Sequence, residues 1–410
     1  MPTFTARWVL PVAGPPLAGG TVTVDGPLIA AVEPRGVRAA EVDLGNVAII
    51  PGLVNAHTHL DLSGARGQTL PTDAAHFTDW LKSVIAYRRS RTPDEVQADV
   101  RAGLAECLAS GTTLIGDIAA GRNAGYSSHP RSRHTAAYSP EDRCLRVVEF
   151  EELIGLDPIR IEKRLESEWA WAWHEDGRLQ RYRVSLHAPY SVAADAFRRA
   201  AVSPPVADPV VVAIHLAETP GELELMTSRT GPFVEFLEAL GVWRPEAIAA
   251  SATWVVEQSR HSPNPTVFAH CNYLPPDTPF GPNQSVVYCP RTHAAFGHPP
   301  HPFRDFLARG VRVCLGTDGL TSNPDLDILA EARFVATKYP GFPGDQLLRM
   351  VTLSGAEALG WADECGSLEV GKSADFVAVP LPDRDGDPYG LLFAEDCGER
   401  RTWFRGTERM

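Results

Sequence analysis

No stretch of about 18 consecutive apolar residues occurs in this chain, which excludes a conventional transmembrane helix. The first twenty residues lack a basic segment followed by a long apolar run, and Pro11, Pro15 and Pro16 interrupt them, so a secretory signal is not expected. Positive charge is in deficit: 38 Lys and Arg against 51 Asp and Glu leave a formal net charge of −13. Such an acidic balance argues against nonspecific binding to nucleic acid or to an anionic membrane. The seven cysteines form no Cys-x-x-Cys pair. Cys271, Cys289 and Cys314 sit in apolar runs, which predicts reduced, buried thiols and a cytoplasmic protein rather than a disulfide framework. There is no long-period repeat and no low-complexity tract.

What is present is a core-forming composition, 44% hydrophobic over 410 residues, with a β-rich pattern at both ends. Thr21-Val22-Thr23-Val24 near the front and Asp375-Phe376-Val377-Ala378-Val379 near the end read as short, turn-bounded strands. Between them eight apolar runs recur: Ala48–Asn55, Thr112–Ile118, Leu145–Ile154, Tyr182–His187, Val210–His215, Val267–His270, Ser285–Cys289 and Val311–Gly316. Near-continuous apolar runs suit strands buried on both faces. Helical patterns separate them. Thr92-Pro93-Asp94-Glu95 is a capping box ahead of Val96, Val100, Leu104, Cys107 and Leu108. Asn323-Pro324 predicts the start of a helix carrying Leu326, Leu329, Ala330 and Phe334. The expected fold is α/β: a (β/α)8 TIM-type barrel over residues 51–362, with a small β-sandwich built from residues 1–50 and 363–410.

The chemistry-bearing residues fall at the ends of those runs. His57 and His59 follow the first, and in an extended segment residues i and i+2 point the same way, so both rings can reach one ion. His215, His270 and Asp318 end the fifth, sixth and eighth, on the face where barrel sites are built. Four imidazoles and a carboxylate converging on one barrel mouth suit Zn²⁺ or Fe²⁺. The fourth run offers no lysine to bridge two metals, which favours a single ion. Glu218, three residues past His215, is placed to move a proton between water and substrate. His187 closes the fourth run and reads equally as a substrate contact or as structural. Of the other histidines, His76, His129, His134, His174, His261 and His301 read as solvated, with His293 and His298 the expected exceptions. Trp169, Trp171 and Trp173 read as packing residues.

Pro51-Gly52-Leu53-Val54-Asn55-Ala56-His57-Thr58-His59 resembles the opening signature of the amidohydrolase superfamily. His-Leu-Ala-Glu-Thr at 215–219, Ala-His-Cys at 269–271, Cys-Pro-Arg at 289–291 and Leu-Gly-Thr-Asp-Gly-Leu-Thr-Ser-Asn at 315–323 resemble its mononuclear deaminase branch, which includes S-adenosylhomocysteine, guanine and triazine hydrolases. The resemblance implies His57, His59, His215 and Asp318 as ligands of one divalent ion, Zn²⁺ or alternatively Fe²⁺. It implies Glu218 as proton shuttle, Asp318 as a second proton acceptor, and His270 as a hydrogen-bond donor to the reacting oxygen. It also implies His187 as a substrate contact. Leu60-Asp61-Leu62-Ser63, then Phe77-Thr78-Asp79-Trp80-Leu81-Lys82-Ser83-Val84-Ile85 and Arg88, is similar to the aminodeoxyfutalosine deaminases of menaquinone synthesis, with Asp61 where they carry Glu. That likeness implies Phe77 and Trp80 as substrate contacts. Arg291 is a further expected contact, although Cys-Pro-Arg-Thr-His at 289–293 departs from the Ser-Asn ending of the branch. The segment Gly121–Arg143 is expected to cover the site, with Arg122, Arg131, Arg133 and Arg143 available to a carboxylate.

The expected activity is hydrolytic deamination of an amino-substituted purine or related heterocycle, a small-molecule partner, with ammonia released. A cyclic-amide or imidazolone hydrolase, a chlorohydrolase and a non-catalytic binding barrel are the alternatives. The signature of the other zinc deaminase class, His-x-Glu with Pro-Cys-x-x-Cys, is missing. A homodimer is expected by analogy alone.

Overall fold

A computed structural model describes residues 1–69, 71, 73–119, 144–172, 179–201 and 210–409. Eight parallel strands lie in chain order: Leu53–Thr58, Thr112–Ala119, Arg146–Leu153, Gln180–Leu186, Val212–Leu216, Thr266–His270, Gln284–Tyr288 and Arg312–Leu315. The first and eighth meet at a parallel bridge between Thr58 and Asp318, where the Asp318 amide donates to the His57 carbonyl at 3.0 Å. This is the expected (β/α)8 barrel, and the closing bridge lies inside the pair of motifs that carry candidate ligands. Helices cover the strands. Thr92 caps the helix Pro93–Ala109 reciprocally with Glu95, as the sequence predicts, and buries Val96, Val100 and Cys107.

The termini form two further sheets. One has four strands in the order Leu28–Glu33, Thr21–Asp25, Thr3–Thr5, Val42–Asp43. The other has six: Thr407–Arg409, Arg401–Phe404, Phe376–Pro380, Val47–Pro51, Trp8–Val9 and Leu17–Ala18. The six-stranded sheet thus interleaves both ends of the chain. Phe4, Val22, Ile29, Ile49, Phe376 and Trp403 form the shared core, with the last two rings stacked at 4.6 Å.

Two boundaries differ from expectation. The run Ala48–Asn55 is two strands: Val47–Pro51 pairs with Phe376–Pro380, and Leu53–Thr58 begins the barrel. The break falls at Pro51-Gly52. A Cβ on Gly52 would stand 2.1 Å from Thr113 Oγ1, so only glycine lets the chain cross there. The helix after the eighth strand starts at Ile328, not at Pro324, because Asp327 accepts from the Leu329 and Ala330 amides and so sets its first turn. All seven cysteines are free, and Cys271, Cys289 and Cys314 are buried. Trp169 and Trp171 lie in the helix Pro158–Ala172. Trp173, His129, His134, His174 and the segment Gly121–Arg143 with its arginines lie outside the described residues. Among the described residues no helix is long and apolar enough to cross a membrane.

Candidate metal centre and active site

The strand ends bring His57, His59, His215, His270 and Asp318 together. One nitrogen from each of His57, His59 and His215 lies within 4.8 Å of the others, and the same holds for ligand atoms of His57, His270 and Asp318. Asp318 Oδ1 stands 3.6 Å from His57 Nε2 and 3.4 Å from His59 Nε2. His59 Nε2 and His215 Nε2 face each other at 3.2 Å. All five side chains are buried.

This donor set fits a divalent cation on the protein's own evidence. Burial first, then the neighbouring imidazoles, pushes His59 and His215 well below the ordinary histidine range, so each ring keeps a lone pair. His215 Nδ1 is hydrogen-bonded at 2.9 Å to the His187 carbonyl, so it donates there and leaves Nε2 as the bare nitrogen facing the cluster. Among the described residues, the buried His57 Nε2 has no hydrogen-bond partner. Lone pairs converging on buried space without donors are satisfied by a cation. Burial raises Asp318, but the His57 ring beside it and the surrounding imidazoles outweigh that and hold the carboxyl well below its usual range. Ser322 Oγ donates to Asp318 Oδ2 at 2.8 Å, which fixes the carboxylate plane.

Glu218 stands beside this cluster, its Oε1 3.4 Å from His270 Nε2. Burial, then Asp318 and Glu222, pushes its carboxyl well above the usual range, which favours the protonated acid. Its backbone is held from below. Glu222 takes the Ala217 and Glu218 amides on its two oxygens, each at 2.9 Å, and Asn272 Nδ2 donates to the Glu218 carbonyl at 3.0 Å. Glu222 was not among the expected site residues. Its signal was legible as Thr219-Pro-Gly-Glu222, the capping-box spacing at a helix start.

Backbone strain is concentrated here. Ala217, His270, Cys271 and Asp318 all take left-handed φ, at 51°, 68°, 57° and 62°. Non-glycine residues hold such angles only where surrounding bonds over-determine them. Those bonds are present: His301 Nε2 lies 2.6 Å from the His270 carbonyl, the Cys271 amide donates to Leu216 O at 2.8 Å, and Thr58 and Thr317 hydroxyls donate to Asp318 O. His301 is therefore a buried support and not the solvated residue the sequence predicts. His293 and His298 are buried too, as expected.

The expected substrate contacts divide. His187 lies next to the cluster, its ring 5.1 Å from that of His215, with Nδ1 2.5 Å from Ser191 Oγ. Trp80 is half-buried and donates from Nε1 to Thr321 O at 3.2 Å, on the loop after Asp318. Phe77 is built into the packing at the start of the helix Phe77–Ser90. It is 2% exposed and packed among Trp80, Phe233 and Phe296, because it opens the apolar face of the helix Phe77–Ser90. Arg291 is likewise committed elsewhere. Its Nε meets Glu331 Oε1 at 2.6 Å, its Nη1 and Nη2 grip Asp325, and every guanidinium nitrogen is engaged. Asn323 Nδ2 bonds the same Glu331, so Arg291 braces the loop that carries Asp318.

A profile of the amidohydrolase family matches residues 48–402. A 5-methylthioadenosine/S-adenosylhomocysteine deaminase of Moorella thermoacetica is 29% identical over 393 residues, covering 91% of this chain and 84% of its own length. The structure of Helicobacter pylori aminofutalosine deaminase in complex with methylthio-coformycin superposes with a TM-score of 0.80 at 20% identity, covering all of both chains. An adenosine deaminase from Xanthomonas campestris with bound zinc superposes with a TM-score of 0.73 at 24% identity, over 99% of this chain and 92% of its own. The chain belongs to the amidohydrolase family, and its strand-end cluster is a donor set suited to a divalent metal.

Proposed function

We propose that this amidohydrolase is a metal-dependent deaminase that hydrolyses the exocyclic amine of an amino-substituted purine carried as a nucleoside, releasing ammonia. The observation that carries this reading is the buried Glu218 carboxyl, 3.4 Å from His270 Nε2, beside a buried cluster of candidate metal ligands. Relatives named for deamination of adenosine derivatives support the substrate class. His57, His59, His215 and Asp318 would hold the ion, which we take to be Zn²⁺ from the three-imidazole, one-carboxylate donor set. When bound, it supplies a water molecule acidified towards neutrality.

The chain's own groups do the rest. Glu218 gives its proton to the ring nitrogen next to the amine-bearing carbon, which makes that carbon electrophilic. Asp318 takes a proton from the attacking water and passes it to the amine. His270, kept neutral by burial, donates a hydrogen bond to the oxygen that becomes the product carbonyl. The second water proton returns to Glu218 as ammonia departs, so the enzyme ends as it began. His187 contacts the substrate beyond the reacting ring. Reduced cysteines fit action in the cytoplasm.

The test is Glu218→Gln. The variant should bind metal in the wild-type ratio and lose turnover by about 10²–10⁴-fold. Ammonia release would be followed on adenosine, S-adenosylhomocysteine, aminodeoxyfutalosine, guanine and cytosine. Near-normal turnover in the variant would sink the assigned role. Turnover of aminodeoxyfutalosine alone would place the enzyme in menaquinone synthesis.

A further inference from the structure

The sixth barrel strand, Thr266–His270, ends in a tight turn made without glycine. His270 and Cys271 follow one another in left-handed backbone, at φ 68° and 57°, where residues with a Cβ are disfavoured. The ladder itself ties this turn to the fifth strand. Pairing there runs through His270, opposite Leu216, and the Cys271 and Tyr273 amides donate to the Leu216 and Ala217 carbonyls at 2.8 Å and 3.1 Å. Towards the seventh strand the ladder stops one residue short, at Ala269 opposite Val287. There the His270 carbonyl is met by a side chain, with His301 Nε2 at 2.6 Å. A carbonyl only accepts, so Nε2 carries the proton and donates.

The segment that delivers His301 is built to hold it still. The helix Pro290–Ala295 is followed by Gly297 in left-handed backbone, φ 67°, and then by His298-Pro299-Pro300-His301-Pro302. Prolines at three of these five positions fix φ, so the two histidines keep a set separation. His298 Nδ1 lies 2.9 Å from the Tyr273 hydroxyl, which belongs to the same turn. The His301 ring is buried and stacks on Tyr288 with centroids 4.1 Å apart, and Tyr288 stacks in turn on Phe303 at 5.1 Å. Both histidines of this stiff segment therefore bond residues that follow the sixth strand.

What hangs on that turn is the His270 imidazole, whose Nε2 stands 3.4 Å from Glu218 Oε1. The strained backbone of His270 sets where its Cβ points, so releasing its carbonyl lets the ring turn out of the cluster. We propose that His301 is a positioning residue of the reaction: by holding the His270 carbonyl, it aims the His270 imidazole at the oxygen that becomes the product carbonyl. The inference rests on the deaminase reading for what His270 does there. It gives a use to the loop after the seventh strand, the stretch in which Cys-Pro-Arg-Thr-His departs from the Ser-Asn ending of the branch.

Gln and Met have nearly the same length and shape, and of the two only Gln has a donor. The test compares His301→Gln with His301→Met in the metal-loaded protein, on whichever nucleoside the wild type deaminates. His301→Met should lower kcat by about 10–100-fold, as a displacement of about 1 Å at a reacting group does. KM should stay within about two-fold, and metal content should match the wild type. His301→Gln should recover most of kcat, since its amide nitrogen stands where Nε2 stood. Equal kcat in the two variants would overturn the proposal. So would a Met variant whose loss lies in KM or metal content, because His301 would then serve packing alone. If both variants unfold, His301→Phe keeps the stack on Tyr288 without a donor: a loss of kcat at unchanged KM upholds the proposal, and wild-type kcat overturns it. If the wild type releases ammonia from no nucleoside, the deaminase reading falls and crystal structures of the two variants decide the positioning separately. A His270 ring turned away from Glu218 in His301→Met and in place in His301→Gln upholds it, and any other arrangement overturns it.

Discussion

Ser322 and Glu222 touch no reacting atom in the proposed mechanism, yet each decides where one sits. Ser322 Oγ holds Asp318 Oδ2 at 2.8 Å and receives support from Thr292 Oγ1 at 3.0 Å. Outer partners of a ligating carboxylate set its orientation and basicity. Ser322→Ala should therefore weaken metal affinity by about 10–100-fold while leaving the fold intact, read by competition with a chromogenic chelator. Wild-type affinity in that variant would mean that Asp318 is positioned by its backbone alone. These supports were only partly readable beforehand. Ser322 lay inside a recognised motif, and Glu222 at a recognisable helix start. Their partners, however, are set by distances across the barrel mouth, which spacing along the chain does not encode.

At the level of elements, the loop from Asp318 to Asp327 is clamped between two helices. Arg291, on the helix Pro290–Ala295, bonds Asp325 in the loop and Glu331 on the helix Ile328–Lys338. The Glu331 side chain is 0% exposed, so losing its cation leaves a buried carboxyl unpaired. Removing one partner of such a pair costs about 3–5 kcal/mol. Arg291→Met should lower unfolding stability by that amount in denaturant titration. KM for a good substrate should stay within about two-fold, since each guanidinium nitrogen already has a protein acceptor. A large rise in KM with unchanged stability would restore Arg291 to the pocket. The residue type alone pointed the wrong way here. An arginine after a barrel strand reads as an anion binder until the neighbouring carboxylates are seen.

On the scale of the whole molecule, the barrel carries a second group of imidazoles behind its mouth. Burial lowers His293 and His301 to about 3 and His298 to about 4, against an ordinary value of 6.5. Their folded values lie below the unfolded one, so between those limits the unfolded chain binds more protons. Stability from these residues is then intact above pH 6.5 and is lost as pH falls towards about 3. Thermal unfolding of chelator-treated protein should show a midpoint that drops steadily with acidification across that window. Chelation removes the competing loss of metal, and a flat profile would contradict the burial of these rings. The two ends of the molecule are coupled as well. Arg146 on the third barrel strand is 2% exposed and pairs with Asp375, beside the six-stranded sheet.

The eight-fold alternation, the β-rich ends and the gathering of His57, His59, His215, His270 and Asp318 at one mouth were legible in the chain because each is local. Apolar runs report burial, His-x-His reports one face of an extended segment, and a residue ending a barrel strand is placed by topology. Folding had to decide what depends on distant chain segments meeting. The break at Gly52 comes from contact with Thr113. The strained turns at Ala217, His270 and Asp318 come from hydrogen bonds delivered by other loops. The packing of Phe77 and the bracing by Arg291 were not legible because their partners, Phe233, Phe296, Asp325 and Glu331, are remote in sequence and adjacent in space. Short-range periodicity names an element and its buried face, whereas the use of a charge or a ring depends on which neighbours the closed barrel presses against it.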